Sequence, residues 1–346
     1  MQDKPDLRDD VIAACLDQSY GVKSARIEFL PLGYDSNAWV YRVDAAEGPP
    51  YFLKLKRHTA DEGTLAIPHV LRVRGIEQVV APLPTKTGVL WTSVDRFAAI
   101  LYPFVEGKSG RDVGLSPEQW LEFGAVLKAV HAAELPPEIA RRLPREEFIP
   151  TPRFAAVVRD ILAGTYERCP QDDLARELTA FLRGRRDEIA GILRRAEELG
   201  RLLQNRRWDF VLCHGDVHVA NVLIDRTGRP LIVDWDQPIF APKERDLMLV
   251  LGTALRGFVA GSTEEEAFFR GYGRVEIDRA AVAYYRYEWA VEDIGGFAEQ
   301  VYVLSDLGEN SKRRAGDGLR GTFQPGGIVD AAYQSEADLM EPHQNA

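Results

Sequence analysis

The chain has 346 residues, 45% of them hydrophobic and 28% charged, and 53 acidic against 43 basic side chains give a formal net charge of −10. At about 150 residues per domain this is enough for two domains or lobes with a sizeable core. The acidic balance excludes a general nucleic-acid binder, which needs a basic face to displace counterions. Cys15, Cys169 and Cys213 form no CxxC pair, which argues against a disulfide framework or a zinc cluster.

Residues 1–21 read as an amphipathic helix ended by Gly21, without the basic region and apolar run of a secretory leader. The longest apolar stretch, 247–255, is followed by Arg256 and is too short to span a bilayer. A cytoplasmic protein with no membrane partner is expected. From residue 24 to 105, IEFLPL, AWVYRV, YFLKLK, VLWTSV and FAAILYPFV carry the β-branched and aromatic residues of strands, with turn residues between them. One helix, about 60–73, interrupts them.

From about residue 115 the pattern becomes helical. Ser116 followed by Pro117 is a helix start, and Leu121, Gly124, Leu127 and His131 follow at helical spacing. Five prolines make 134–152 a loop. Leucine and isoleucine periodicity from Leu174 to Leu202 predicts one long helix or two abutting ones. A strand-rich island occupies 210–234, and helices are predicted at about 244–256, 263–272 and 278–303. The Gly- and Arg-rich segment 307–327 reads as a loop. The order is a small β-rich lobe followed by a large helical lobe, an α+β arrangement rather than alternating βαβ units.

The chemistry concentrates in the island. His214-Gly215-Asp216-Val217-His218-Val219-Ala220-Asn221 is followed by Ile232-Val233-Asp234-Trp235-Asp236. Phosphoryl transfer needs a carboxylate at the acceptor hydroxyl and oxygen ligands for magnesium. An Asp with an Asn five residues on can put a base and a metal ligand on one loop, and an Asp at a strand end adds the second ligand. This is the kinase catalytic-loop spacing with Gly in place of Arg. His214 and His218 are four apart, but no Glu follows the first, so a HExxH zinc helix is not indicated. The motif pair resembles the HGDxHxxN and IDxD signatures of the aminoglycoside phosphotransferase and choline kinase superfamily.

That resemblance implies a protein-kinase-like two-lobe fold, with an ATP-binding lobe at 1–105 and a catalytic and substrate-binding lobe at 106–346. It implies ATP and Mg²⁺ as cofactors, Asp216 as catalytic base, and Asn221 and Asp234 as metal ligands. His214 holds the loop, and His218 either faces the γ-phosphate or packs. Lysine is scarce, nine against 34 arginines, so two in one strand stand out. Alternation puts Lys54 and Lys56 on one face. Lys54 is the phosphate lysine by resemblance, Glu62 its expected partner, and Lys56 a surface lysine. Ser36, in the turn after Gly33, and nearby backbone N–H groups would meet the β-phosphate. Pro103 would accept from the adenine amino group through its C=O, and Val105 would donate its N–H. A proline is tolerable only at the first of these two positions.

LGYDSNAWVYRV, YFLKLK, WDQPIFAPKERDLM, GYGRVEID and YYRYEWAVEDI resemble the spectinomycin, or aminoglycoside 9-, phosphotransferase branch. Asp246 corresponds to the Asp that braces the catalytic loop. The implied partner is a small cationic aminocyclitol. Glu288 and Glu292, four apart on a predicted helix with Asp293 beside them, repel each other unless a cation intervenes. That cation is either the substrate or an arginine such as Arg286. Asp236 is a further substrate or metal contact. Two other readings stand beside this one: a kinase for a metabolite such as an amino alcohol, sugar or homoserine-like acceptor, and a nucleotide-binding pseudokinase. The pseudokinase would be expected to lack the base, a metal ligand or the lysine, and all three are present. The oligomeric state is not legible in the chain.

Overall fold

A computed structural model describes residues 3–33, 37–57, 60–167, 172–251, 254–255, 258–259, 262–305 and 307–340. The chain divides into two compact units. One comprises Met1–Pro144, Leu212–Phe240 and Glu266–Arg274; the other comprises Arg145–Val211, Ala241–Glu265 and Val275–Ala346.

In the first unit, β1 (Ser24–Leu30), β2 (Ala38–Ala45), β3 (Tyr51–Arg57), β4 (Thr92–Val94) and β5 (Phe97–Pro103) form an antiparallel sheet in the order β1-β2-β3-β5-β4. Side-chain alternation divides its residues between two faces. Trp39, Tyr41, Val43, Leu53, Leu55, Phe97, Ala99 and Leu101 pack with Ile12 and Leu16 of the N-terminal helix Asp9–Tyr20. The intervening residues, Lys54 among them, look the other way. There Ile100 packs with Leu65 of the helix Glu62–Val73 and with Leu90. Asp61 caps that helix by accepting from the Thr64 N–H.

The short strand β6 (Gly107–Ser109), which the sequence pattern did not show, pairs with β8 (Val222–Asp225), and β8 pairs with β9 (Pro230–Ile232). Between β6 and β8 in sequence lies β7 (Val211–Cys213). Segment 78–80 runs beside β9 through Ile232 N–H to Gln78 O (2.7 Å) and Val80 N–H to Ile232 O (3.0 Å). The expected helix start at Ser116 is realised in full, since Ser116 and Gln119 form a reciprocal capping box for Pro117–His131.

The second unit is helical: Pro152–Leu162, Arg186–Gln204, Glu309–Thr322 and Ile328–Met340 pack with the long helix Arg279–Tyr302, and Asp173–Arg183 packs with Glu309–Thr322. The periodic stretch from Leu174 is thus two abutting helices. The long helix is buried nearly all round, and Tyr284, Tyr285 and Tyr287 are core residues. Two expectations are corrected. Segment 307–327 is mainly the helix Glu309–Thr322, not a loop. Gly318 is there for close packing: a Cβ on it would come within 2.6 Å of the Phe297 ring. The helix expected at 244–256 runs only over Glu244–Leu247, and Ala254–Leu255 pairs with Phe258–Val259. Gly252 and Thr253, both poor helix formers, interrupt the apolar run in sequence. No helix among the described residues is long and apolar enough to cross a membrane.

Candidate active site

The island residues form one hydrogen-bonded loop. His214 is fully buried and holds both ends of it: its Nδ1 accepts from the Asp216 N–H (3.2 Å) and its Nε2 donates to Val233 O (3.0 Å). These two bonds specify a neutral imidazole with the proton on Nε2. The Trp235 ring lies 4.5 Å from the imidazole. Gly215 has φ +87°, and a Cβ there would meet Gln237 O at 2.3 Å. This is why glycine stands where protein kinases carry arginine.

Asn221 closes the loop on Asp216. Its Nδ2 donates to Asp216 O (2.8 Å) and to Asp216 Oδ2 (3.2 Å), so its amide oxygen is the atom it can offer a cation. Val233 N–H donates to Asn221 O (3.0 Å), which ties the loop to the strand leading into Asp234. Asp234 has φ +64°, uncommon for a residue with a side chain. The Asp216 side chain remains 34% exposed and that of Asp234 44%. His218 Nε2 lies 3.5 Å from Asp216 Oδ1.

Lys54 enters from β3. Its Nζ is 2.7 Å from Asp234 Oδ1 and 2.7 Å from Asp236 Oδ2. Desolvation would lower the pKa of this buried ammonium, but the two carboxylates outweigh it and hold the value well above the ordinary one. Lys56 Nζ reaches the same Asp236 Oδ2 at 3.1 Å. Burial would raise the Asp236 carboxyl, yet Lys54 and then Lys56 bring it down to about 2.

The structure brings Asp216, His218, Asn221, Asp234, Asp236, Lys54 and Lys56 into one unit and departs from the sequence reading at two points, the partner of Lys54 and the place of Lys56. Lys54 does not pair with Glu62. Glu62 Oε1 accepts from the Leu90 N–H at 3.1 Å, its Oε2 is buried without a hydrogen-bond partner, and Lys54 has two nearer carboxylates. Asp236 is paired with both lysines in the free protein, as Asp234 is with Lys54. Lys56 belongs to the site rather than to a solvated surface. Ser36 lies outside the described residues.

Beyond the site, Leu101 O accepts from the Leu83 N–H (2.7 Å) on the β5 edge away from β3. Strand alternation turns the Pro103 C=O to that same edge, and Val105 follows at partial burial. A cavity of about 560 Å³ opens beside this segment, lined by Arg42, Phe104, Glu106, Lys108 and Arg226 among others. Neither Lys54 nor Asp216 lines it.

The acidic group of the second unit has its own arginine, and it is Arg245 rather than Arg286. Arg245 Nη1 is 2.8 Å from Glu288 Oε2, and Nη2 is 3.9 Å from Glu292 Oε2. Thr151 Oγ1 is 2.9 Å from Glu288 Oε1 and 2.5 Å from Glu292 Oε1. A hydroxyl has one proton and can donate to only one of them; at the other oxygen the carboxyl must donate. Glu292 is that acid, because Arg245 pairs more closely with Glu288. Burial first, and then the Glu288 charge, push Glu292 up to about 8. Burial also raises Glu146, which Arg245 partly offsets. Glu288 is only 4% exposed, so this network is internal and Glu288 is not open to a substrate. Asp293 is partly buried on the same helix. The sequence reading missed Thr151, Glu146 and Arg245, which lie 137, 142 and 43 positions from Glu288. Asp246 is fully buried.

Comparisons with known proteins decide the family. Residues 26–285 match the phosphotransferase enzyme family, APH. The chain belongs to that family. Protein StrN of Streptomyces griseus is 30% identical over 243 residues, 66% of this chain and 72% of that protein. Spectinomycin phosphotransferase APH(9)-Ia, in complex with ADP and spectinomycin, is 30% identical with a TM-score of 0.83, over 96% of this chain and 99% of that one. Its AMP-bound structure matches at 29% identity and a TM-score of 0.80, over 94% and 98% of the two chains. As an APH-family member, this chain is an ATP-binding kinase of hydroxyl acceptors with a kinase-like α+β fold.

Proposed function

We propose that the chain transfers the γ-phosphate of ATP to a hydroxyl of an aminocyclitol antibiotic, spectinomycin or a close relative, and so confers resistance. The observation that carries the site assignment is the closed loop in which Asn221 and His214 fix Asp216 while leaving its carboxylate accessible. In this reading residues 1–105 are the ATP-binding lobe and 106–346 the catalytic and substrate-binding lobe, and the reaction takes place in the cytoplasm.

Asp216 orients the acceptor hydroxyl and takes its proton as the O–P bond forms. Its loop is rigid before substrate arrives, so little reorganisation is needed at the moment of transfer. Lys54 turns from Asp234 to the phosphates, Pro103 and Val105 receive the adenine, and Ser36 meets the β-phosphate. His218 is a neighbour of the base. The Asn221 amide oxygen and the Asp234 carboxylate are hard oxygen donors and fit Mg²⁺, which when bound neutralises phosphate charge. Glu62 holds the Leu90 backbone and takes no part in positioning Lys54 in the free protein.

For the acceptor, the support is the 30% identity and nearly full-length match to a protein solved with spectinomycin. Of the acidic group, Asp293 remains the candidate for an aminocyclitol amine, since Glu288 is held by Arg245 and Glu292 is the neutral acid of the Thr151 bridge. The test is steady-state ATP consumption with spectinomycin, streptomycin, kanamycin and choline. Turnover with spectinomycin is expected; turnover with choline alone overturns the acceptor, and none with any overturns the enzyme assignment.

A further inference from the structure

We propose that Lys56 is a second phosphate-binding lysine, positioned by Asp236 and directed at the terminal phosphoryl group of ATP. The inference rests on the nucleotide site proposed above and deepens it.

Lys56 follows Lys54 by two on β3, so both side chains leave the same face of the sheet, with Cα atoms roughly 6.6 Å apart. Lys56 stands opposite Ala38, the first residue of β2, and the Arg57 N–H donates to Asn37 O at 2.8 Å. Lys56 is therefore near the end of β3, level with the start of β2, whereas Lys54 lies two residues further in, opposite Val40. Their exposures follow the same order. The Lys56 side chain is 26% exposed and that of Lys54 10%.

The contact with Asp236 is what distinguishes Lys56 from a solvated surface lysine. One carboxylate oxygen, Asp236 Oδ2, receives both ammonium groups, at 2.7 Å and 3.1 Å. Two like charges converging on one oxygen repel each other, and a partly buried lysine gives up hydration to be there. Such a pair becomes favourable when more anionic charge arrives than one lysine can meet. A triphosphate supplies that charge. Lys54, deeper and already against Asp234, meets the inner phosphates. Lys56, outer and more open, meets the terminal one, with Asp236 holding its ammonium in place before and after transfer.

The test uses the full chain and compares two nucleotides that differ by the terminal group. Equilibrium binding of ADP and of the β,γ-imido analogue of ATP is measured with Mg²⁺ for the parent, Lys56→Met and Lys56→Arg, with kcat and KM for ATP alongside. Lys56→Met is expected to weaken the ATP analogue about 10- to 100-fold, the value of one charge-assisted contact, and ADP less than about twofold. Lys56→Arg restores most of the analogue affinity. Equal losses for both nucleotides, or no loss for either, overturn the proposal and return Lys56 to a structural ion pair. Retained ADP binding certifies that the variant is folded, and Lys56→Gln replaces Lys56→Met if it is not. Failure of the parent to bind ADP overturns the nucleotide-site reading itself.

Discussion

Replacing Glu292 by glutamine probes the proton that the Thr151 bridge requires. In the folded chain this carboxyl sits at about 8, against an ordinary value of 4.5, because it is buried beside Glu288. Below 4.5 both folded and unfolded states are protonated, and the group exerts no pH-dependent effect. Between 4.5 and about 8 the unfolded chain loses the proton while the folded chain keeps it, so stability falls as pH rises. Above 8 the loss is complete. At ~1.4 kcal/mol per pH unit per proton, the window from 4.5 to 8 sets an upper bound of about 5 kcal/mol. Glutamine imitates the protonated acid: its amide can donate to Thr151 Oγ1 while Thr151 donates to Glu288. Glu292→Gln should therefore be near neutral at pH 4.5 and gain about 3–4 kcal/mol over the parent between pH 5 and pH 8. Urea unfolding of both proteins at four pH values reads the difference, in which carboxylates remote from the Glu288–Glu292 pair cancel. A difference that stays constant with pH would refute the proton assignment, and with it the argument that Thr151 cannot serve two carboxylates.

Asp216→Ala should cost about 10²- to 10⁴-fold in kcat, the range of general-base catalysis, while ADP affinity measured by calorimetry stays within about twofold; undiminished turnover sinks the mechanism. Chelation of divalent cations should abolish ATP turnover and Mg²⁺ should restore it, as read by ADP release. Gly215→Ala should lower both Tm and kcat, since it combines φ +87° with a 2.3 Å approach to Gln237 O; a fully active variant would show that the loop has freedom the structure denies it. Gly318→Leu should destabilise by about 1–3 kcal/mol through overpacking on Phe297, measured by urea midpoint with no change in nucleotide affinity.

The parts of the fold and site legible in the sequence are those set by short-range rules. Strand alternation placed Lys54 and Lys56 together, Ser116 and Pro117 marked a helix start, and the Asp216 to Asn221 spacing gave the loop. What escaped depended on residues far apart in the chain. Glu62 opens the next helix, which makes it the local candidate partner for Lys54. Yet Lys54 finds Asp234 and Asp236, 180 and 182 positions away, and proximity to two carboxylates outweighs one. Strand β6 carries no β-branched or aromatic residue and exists because β8 offers it an edge. The glycines of 307–327 read as breakers, but in the folded chain Gly318 lets its helix approach Phe297 of another.

The acidic group shows how far local spacing reaches: it left two cations open, the substrate or an arginine, and the structure supplies an arginine from 43 positions away, Arg245 rather than Arg286. Two glutamates four apart do require compensation. The chain supplies it twice over, with Arg245 on Glu288 and a proton on Glu292. Each is cheaper than holding a buried site open for a ligand, since an unpaired buried carboxylate costs several kcal/mol until the ligand arrives. The same reasoning reverses at Asp234 and Asp236. There two lysines neutralise two aspartates in the free protein, and Asp234 stays 44% exposed. Charges that are matched yet reachable can exchange partners when a nucleotide arrives, whereas charges that are matched and sealed, as at Glu288, hold a helix in place.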